Sequence, residues 1–205
     1  MLTLHLARGT ISVAAHIALE ETGLPHELAW LDFGRAEQTS ESYARVNPKL
    51  RVPALVTPDG ILTETPAILE HIASLAPEAD LMPADPWAAA KAREAMAWCA
   101  ATFHVAHAHK MRGARWADDP DAHEAMAAKV PETMTACASL AEEMLTITDG
   151  PWLLEAVSVA DFHLHAIARW LPGDGVDLAP FSRLQSHAAA VASRPAAARA
   201  LSHHG

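Results

Sequence analysis

Cysteine is scarce in this chain, and its scarcity excludes a disulfide framework. Only Cys99 and Cys137 are present, they form no C-x-x-C pair, and such usage is typical of a reducing compartment. Basic residues are also few, 15 against 25 acidic ones, so the net charge of −10 argues against nucleic acid and anionic membranes as partners. No segment is apolar over the roughly 18 residues of a membrane span, and the start lacks the pattern of a signal peptide. We therefore expect a cytoplasmic protein.

The first third of the chain alternates strand and helix patterns. "LTLHLA" (2–7) and "HELAWLDF" (26–33) predict strands on either side of a helix that ends at Gly23. A strand–helix–strand unit of this kind implies a parallel pair. The triplet Pro58-Asp59-Gly60 lies between two apolar runs and predicts a hairpin, which adds an antiparallel edge to the sheet.

The rest of the chain shows helix patterns alone. Asp85-Pro86 and Asp119-Pro120 each place an N-cap before a first-turn proline. They predict two long helices that end near Gly113 and Ile147, and Pro131 should kink or split the second one. Two further helix patterns and a short helix from Pro195 follow these.

A proline-rich stretch, "APEADLMPADP", separates the two kinds of pattern and indicates a linker. The sequence thus predicts an α/β domain over residues 1–76, a linker over 77–84 and an all-helical domain over 85–205.

One helix start in the second domain is unusually well specified. Ser158 and Asp161 have the spacing of a capping box, and Val157 and Phe162 occupy the two positions of a hydrophobic staple. All four positions agree, so we expect a structural role for this motif.

The segment "RVPALVTPDGILTETP" combines features that a plain strand would avoid. Pro53 lies at the mouth of a predicted strand, although proline removes a ladder donor. Glu64 and Thr65 then precede Pro66, which predicts Thr65 as the N-cap and Pro66 as the first residue of a helix.

Four segments together resemble the cytosolic glutathione transferase family, nearest to its bacterial beta class. They are "SVAAHIALEETGLPHEL" (12–28), "NPKLRVPAL" (47–55), "LTETPAILEHIA" (62–73) and "SVADFHL" (158–164). The resemblance covers nearly the whole chain. It implies a thioredoxin-like N-terminal domain and an all-α C-terminal domain, which is the glutathione transferase fold.

The resemblance also implies how glutathione would bind. The bond between Val52 and Pro53 would be cis, and the free backbone of Val52 would pair with the tripeptide as an added strand does. Glu64 would face the ligand's ammonium, while Thr65 and the helix start would bind its γ-glutamyl carboxylate. Arg35 aligns with a basic residue that reaches the glycine carboxylate; a plain surface arginine is the alternative.

The family's usual sulfur-activating residue is missing. The position of the beta-class cysteine is Ile11, and the only tyrosine, Tyr43, lies far along the chain. The neighbouring hydroxyls of Thr10 and Ser12 are the candidates to donate a hydrogen bond to the thiolate. The alternatives are that Ser12 caps the first helix and that Thr10 merely shapes the loop.

A histidine of the second domain is the other catalytic candidate. His104 matches a beta-class histidine that approaches the sulfur, but Ala97 and Val105 replace that class's polar neighbours. His104 and His107 have a spacing that zinc can share, yet no carboxylate or thiolate pattern joins them, and we expect no metal.

We expect a glutathione transferase that binds reduced glutathione as co-substrate, without a resident cofactor, and conjugates its thiolate to small hydrophobic electrophiles. The family implies a homodimer. One alternative is a non-catalytic glutathione-binding or ligand-binding protein of the same fold. The other is a glutathione-dependent reductase or peroxidase, which would need the sulfur nucleophile that Ile11 replaces.

Overall fold

Four strands form one sheet in the first half of the chain, in the order β2–β1–β3–β4. The computed structural model describes residues 1–204. The strands and α-helices of this half are β1 (Leu2–Leu6), α1 (Val13–Thr22), β2 (His26–Trp30), α2 (Glu41–Ala44), β3 (Ala54–Thr57), β4 (Gly60–Thr63) and α3 (Thr65–Leu75). β1 pairs parallel with β2 and antiparallel with β3, and β3 and β4 form the hairpin. The predicted parallel pair and antiparallel edge are confirmed, and the arrangement is thioredoxin-like.

The second half of the chain is helical. Its helices are α4 (Pro86–Trp98), α5 (His104–Ala108), α6 (Pro120–Met144), α7 (Val159–Ala168), α8 (Ser182–Ser193) and α9 (Pro195–Ser202), and a π-helix (Cys99–Phe103) joins α4 to α5. None of the described helices is both long enough and apolar enough to cross a membrane.

One core runs through both halves. The first seven residues of α1, Val13 to Leu19, are all buried, because α3 packs on this helix together with α7 and α9. The connection between α3 and α4, which contains the predicted linker, is also attached to the helical half. Leu81 there is buried, and its carbonyl accepts a hydrogen bond of 2.9 Å from the N–H of Val159. The two halves are therefore held in a fixed relation.

Two helix predictions in the second half are wrong in detail. The segment that begins at Pro86 leaves helical geometry after Ala108, and Gly113 begins a separate 3-10 turn. Pro131 does not split α6, which runs unbroken to Met144. Pro131 is exposed on this helix, and Ala127, whose carbonyl loses its usual N–H partner to the proline, is partly exposed and can bond water.

The capping box at α7 is formed, and its aspartate also bonds groups outside the helix start. The Oδ2 atom of Asp161 accepts 2.8 Å from the N–H of Ser158, and its Oδ1 atom accepts 2.9 Å from the N–H of Leu153. The imidazole of His187 lies 3.2 Å from Oδ1. Asp161 and His187 are fully buried, so one carboxylate joins a loop, a helix start and α8.

We predict that Asp161→Ala lowers the free energy of unfolding by about 3–5 kcal/mol, because each buried donor left without an acceptor costs about 1–3 kcal/mol. Chemical denaturation measures this. The matched control is Asp121→Ala, which removes an exposed first-turn aspartate from α6 and should change stability by less than about 0.5 kcal/mol. Equal losses in the two variants would show that Asp161 acts only as a surface cap.

Candidate functional site

A pocket of about 660 Å³ lies between the two halves. The sheet half contributes four segments: the β1–α1 loop (8–11), the irregular stretch after β2 (33–39), the approach to β3 (47–53) and the start of α3 (64–66). The helical half contributes residues from the π-helix, α5 and the turn after it, together with His163 and Trp170.

The approach to β3 leaves the backbone of Val52 outside the sheet. The peptide bond between Val52 and Pro53 is cis, as predicted, and the β1–β3 ladder begins only at Ala54. In the described part of the chain no hydrogen bond reaches the N–H or C=O of Val52. Both groups lie at a pocket-lining residue, so an extended peptide can pair with them.

Two side chains fix the residue before Val52. The carbonyl oxygen of Arg51 accepts 2.7 Å from the Tyr43 hydroxyl and 2.6 Å from the Asn47 amide. Burial raises the pKa of Tyr43 to about 12, so its hydroxyl stays a donor at any physiological pH. The single tyrosine, which sequence reasoning set aside, thus orients the segment beside the pocket.

The start of α3 differs by one residue from the prediction. Glu64, with φ of 75°, is the N-cap and accepts the first helical bond from Ile68, so Thr65 and Pro66 are the first two helical residues. Because Glu64 has this positive φ, the helix begins at Thr65, one residue before the predicted start at Pro66. Thr65 is buried, whereas the Glu64 side chain is 62% exposed. Both line the pocket at the positive end of the helix dipole.

Lys49 forms an ion pair with one oxygen of the Glu64 carboxylate. Its Nζ lies 2.5 Å from Oε1 of Glu64 and 2.7 Å from the hydroxyl of Thr63. The Oε2 atom of Glu64 makes no hydrogen bond to any residue that the structure describes. One oxygen of this carboxylate is therefore available to a cationic group in the pocket.

The β1–α1 loop contains a small hydroxyl network. The oxygens of Thr10 and Ser12 lie 2.7 Å apart, and each lies within 3.1 Å of the carbonyl of Ala7. The hydroxyl of Thr10 donates 2.8 Å to that carbonyl, so it must give up this acceptor before it can donate into the pocket. Among residues 1–204 the N–H groups of Thr10 and Ile11 have no acceptor.

Ser12 itself does not line the pocket. It is completely buried, it makes no side-chain cap to α1, and its oxygen accepts 3.1 Å from the N–H of Ala7. The structure thus separates the two predicted hydroxyls: Thr10 is on the pocket wall, and Ser12 braces the loop behind it.

An indole joins the loop to the helical wall. The Nε1 atom of Trp170 donates 3.1 Å to the carbonyl of Gly9, and the ring stacks on His107 at a centroid distance of 4.0 Å. His107 in turn lies 2.6 Å from Oδ2 of the buried Asp174. This chain of contacts holds the two walls of the pocket at a fixed distance.

His104 is in the pocket and packs against Trp170, with ring centroids 5.1 Å apart. Burial lowers the pKa of His104 to about 4, and the neighbouring His107 adds to the effect. The ring is therefore neutral near pH 7, and it can act as a hydrogen-bonding group but not as a cation.

The basic residues of the pocket are the feature that sequence reasoning missed. Five cations line it, and Glu64 is its one carboxylate: Arg8, Lys49, Arg51, Arg112 and Arg115. Arg35, the predicted cation, is exposed and does not line the pocket. The only sequence signal was the basic cluster "KMRGAR" (110–115), in an otherwise acidic chain.

Comparison with known proteins agrees with this geometry. Residues 1–74 match the family described as glutathione S-transferase, N-terminal domain. The chain is 48% identical to a glutathione transferase homolog from Sulfitobacter whose crystal structure holds bound glutathione, with a TM-score of 0.95 and coverage of 99% of this chain and 98% of that one.

Two further relatives extend over nearly the whole chain. A sphingomonad glutathione S-transferase complexed with glutathione is 31% identical, with a TM-score of 0.85 and coverage of 99% and 98%. Glutathione S-transferase GstA of Escherichia coli O157:H7 is 28% identical over 96% of each chain. The chain belongs to the glutathione S-transferase family.

Proposed function

We propose that the pocket binds reduced glutathione and that the protein transfers its thiolate to a small electrophile. One observation carries this proposal: the unpaired backbone of Val52 and the start of α3, with Glu64 beside it, face the same pocket. A tripeptide with a free backbone, an ammonium and a carboxylate at one end matches these groups.

The tripeptide lies extended along Val52, whose N–H and C=O pair with its cysteinyl residue. Its γ-glutamyl carboxylate accepts from the first-turn N–H groups and the hydroxyl of Thr65, and the helix dipole favours its charge. Its ammonium faces the free oxygen of Glu64. Pocket cations provide for the glycine carboxylate. Arg35 is in the same 3-10 turn (33–35) as the pocket-lining Phe33, but its own side chain is exposed and does not line the pocket.

The thiol must lose its proton before it can attack. A donor from the β1–α1 loop stabilises the anion, through the hydroxyl of Thr10 or the N–H of Ile11. His104, being neutral, is a secondary polar group. A neutral hydrogen bond lowers a thiol's pKa less than a charge does, so the field of the surrounding arginines adds to the effect.

The wall opposite the loop is apolar and suits the body of an electrophile. Its apolar lining residues are Val105, Ala108, Met111 and Trp116, and Met111 is 74% exposed. A homodimer, which the family resemblance implies, belongs to the same proposal. Ile61 on β4 and Trp87 on α4 are exposed apolar side chains that such an interface could cover.

A reductase or peroxidase fits the structure less well. Such chemistry needs a reactive sulfur, yet Cys99 and Cys137 are both buried, and burial raises the pKa of both thiols. Neither lines the pocket. A non-catalytic binding protein would bind glutathione without conjugating an aryl halide, and that assay separates it from a transferase.

We predict that Glu64→Gln weakens glutathione binding at least about tenfold, because the ligand's ammonium loses its charged partner. Titration calorimetry measures the affinity. Glu41→Gln, which removes an exposed glutamate paired with Arg45, is the matched control and should bind as the wild type does. Equal affinity of wild type and Glu64→Gln would contradict the assignment.

We predict that Thr10→Val raises the pKa of bound glutathione, whereas Thr10→Ser leaves it close to the wild-type value. The thiolate absorbance, titrated against pH, gives this pKa directly. Ser12→Ala should alter the pKa less, because Ser12 braces the loop from behind. An unchanged titration in Thr10→Val, together with a raised pKa in His104→Ala, would assign the activating role to the helical half.

A further inference from the structure

The arginines of the helical wall are placed for a second anion besides glutathione. Arg112 and Arg115 follow α5, beside Met111 and Trp116 on the apolar wall, and Arg51 faces them from the sheet half. Within residues 1–204 none of these three arginines forms an ion pair with a carboxylate. Burial and the nearby charges of Arg51 and Arg112 lower the pKa of Arg115.

These like-charged guanidinium groups lie near one another although the chain carries 25 acidic residues against 15 basic ones. Four of the eight other arginines form ion pairs with a glutamate: Arg45 with Glu41, Arg93 with Glu70, Arg194 with Glu21 and Arg199 with Glu20. Unpaired guanidinium groups that converge on a pocket favour a bidentate acceptor such as a carboxylate.

We propose, on the basis of the glutathione transferase function proposed above, that the electrophile carries an acidic group held by Arg112 and Arg115. Its apolar body lies against Met111 and Trp116, and its reactive carbon faces the β1–α1 loop. The substrate class is thus a small aromatic or unsaturated electrophile with a carboxylate.

The test uses a matched pair, 4-chloro-3-nitrobenzoate and its neutral benzamide. In both reactions a carbon–sulfur bond forms, the carbon–chlorine bond breaks, chloride leaves with its electron pair, and the thiol proton passes to solvent. Each kcat/KM is divided by the uncatalysed rate, which removes the difference in intrinsic reactivity.

We expect the wild type to favour the benzoate by about tenfold, the effect of one charge-assisted hydrogen bond. Arg112→Gln and Arg115→Gln should remove the preference, while Arg45→Gln keeps it. The preference is the ratio of two rates measured in one variant, so a change in glutathione binding or in the thiol pKa cancels. Equal normalised rates for the two electrophiles would overturn the inference and leave the transferase function standing. No turnover of either electrophile, with glutathione bound, would overturn the transferase function itself.

A separate cluster, far along the chain from these arginines, has the composition of a metal site. His16 on α1, Glu20 one turn later and His26 on β2 present one ligand atom each, all within 4.8 Å of one another. The Nε2 atoms of His16 and His26 lie 4.0 and 3.9 Å from Oε1 of Glu20, too far for a hydrogen bond. The Nε2 atom of His16 is completely buried and has no partner.

The second nitrogen of each histidine is already occupied. His26 Nδ1 lies 2.8 Å from the carbonyl of Leu24, so it carries the proton and leaves Nε2 with a lone pair. His16 Nδ1 lies 3.2 Å from Nε2 of the buried His204, which can accept its proton. The bond from His26 to a backbone carbonyl is the arrangement that commonly orients a histidine ligand around a metal.

The carboxylate of Glu20 is oriented in the same way. Its Oε2 atom accepts 2.8 Å from Nε of Arg199, and its Oε1 atom faces the two imidazoles. Neighbouring ligands of tetrahedral zinc lie about 3.4 Å apart, given bonds of about 2.0–2.2 Å. Glu20 must therefore move about half an ångström closer to each histidine, and the two histidines must approach each other by up to about 1.4 Å.

The geometry points to a zinc-type divalent cation held by His16, Glu20 and His26, with the fourth position open to water. His16 and Glu20 share α1 at i, i+4 spacing, but His26 lies on β2, so sequence spacing does not reveal the third ligand.

The test titrates zinc sulfate into untagged, chelator-treated full-length protein by calorimetry. We expect one ion per chain at micromolar affinity or tighter, at least about tenfold weaker binding in Glu20→Gln and in His26→Gln, and a rise in thermal midpoint that both variants lose. His71→Gln, a histidine outside the cluster, is the control. Equal binding by wild type and both ligand variants, or only millimolar affinity, would overturn the site.

Discussion

Two hydrogen bonds to one carbonyl organise the pocket. Arg51 C=O is held by the side chains of Tyr43 and Asn47, and the residue after it, Val52, therefore stays outside the ladder that starts at Ala54. A strand end kept unpaired in this way offers the donor and acceptor that a peptide ligand requires. The remaining parts of the site, the start of α3 and the β1–α1 loop, are arranged around that free backbone.

Charge is distributed unevenly between the pocket and the rest of the protein. The chain is acidic overall, yet five of its 15 basic residues line one cavity with a single carboxylate. Such a field attracts anionic ligands, and in the proposed function it would add to the stabilisation of the thiolate by the β1–α1 loop. This offers a physical account of how the family's chemistry could persist where Ile11 stands in place of the beta-class cysteine.

Much of the fold was predictable from the sequence, because local signals agreed. The hairpin at Pro58-Asp59-Gly60, the caps at Asp85 and Asp119, and the box at Ser158 each depend on neighbouring residues. The pocket's cations and the role of Tyr43 were not predictable. They arise from contacts between segments distant in sequence, as when Trp170 reaches Gly9, and no periodicity encodes such a contact. The one-residue shift at Glu64 came from a backbone angle that composition does not reveal.

The most direct test of this account is a crystal structure of the protein with reduced glutathione. We expect the cysteinyl N–H and C=O to pair with the backbone of Val52 at about 2.7–3.2 Å. We also expect the sulfur to lie closer to Thr10 and Ile11 than to His104. A tripeptide that leaves Val52 unpaired, or a sulfur directed at His104 and away from the loop, would contradict it.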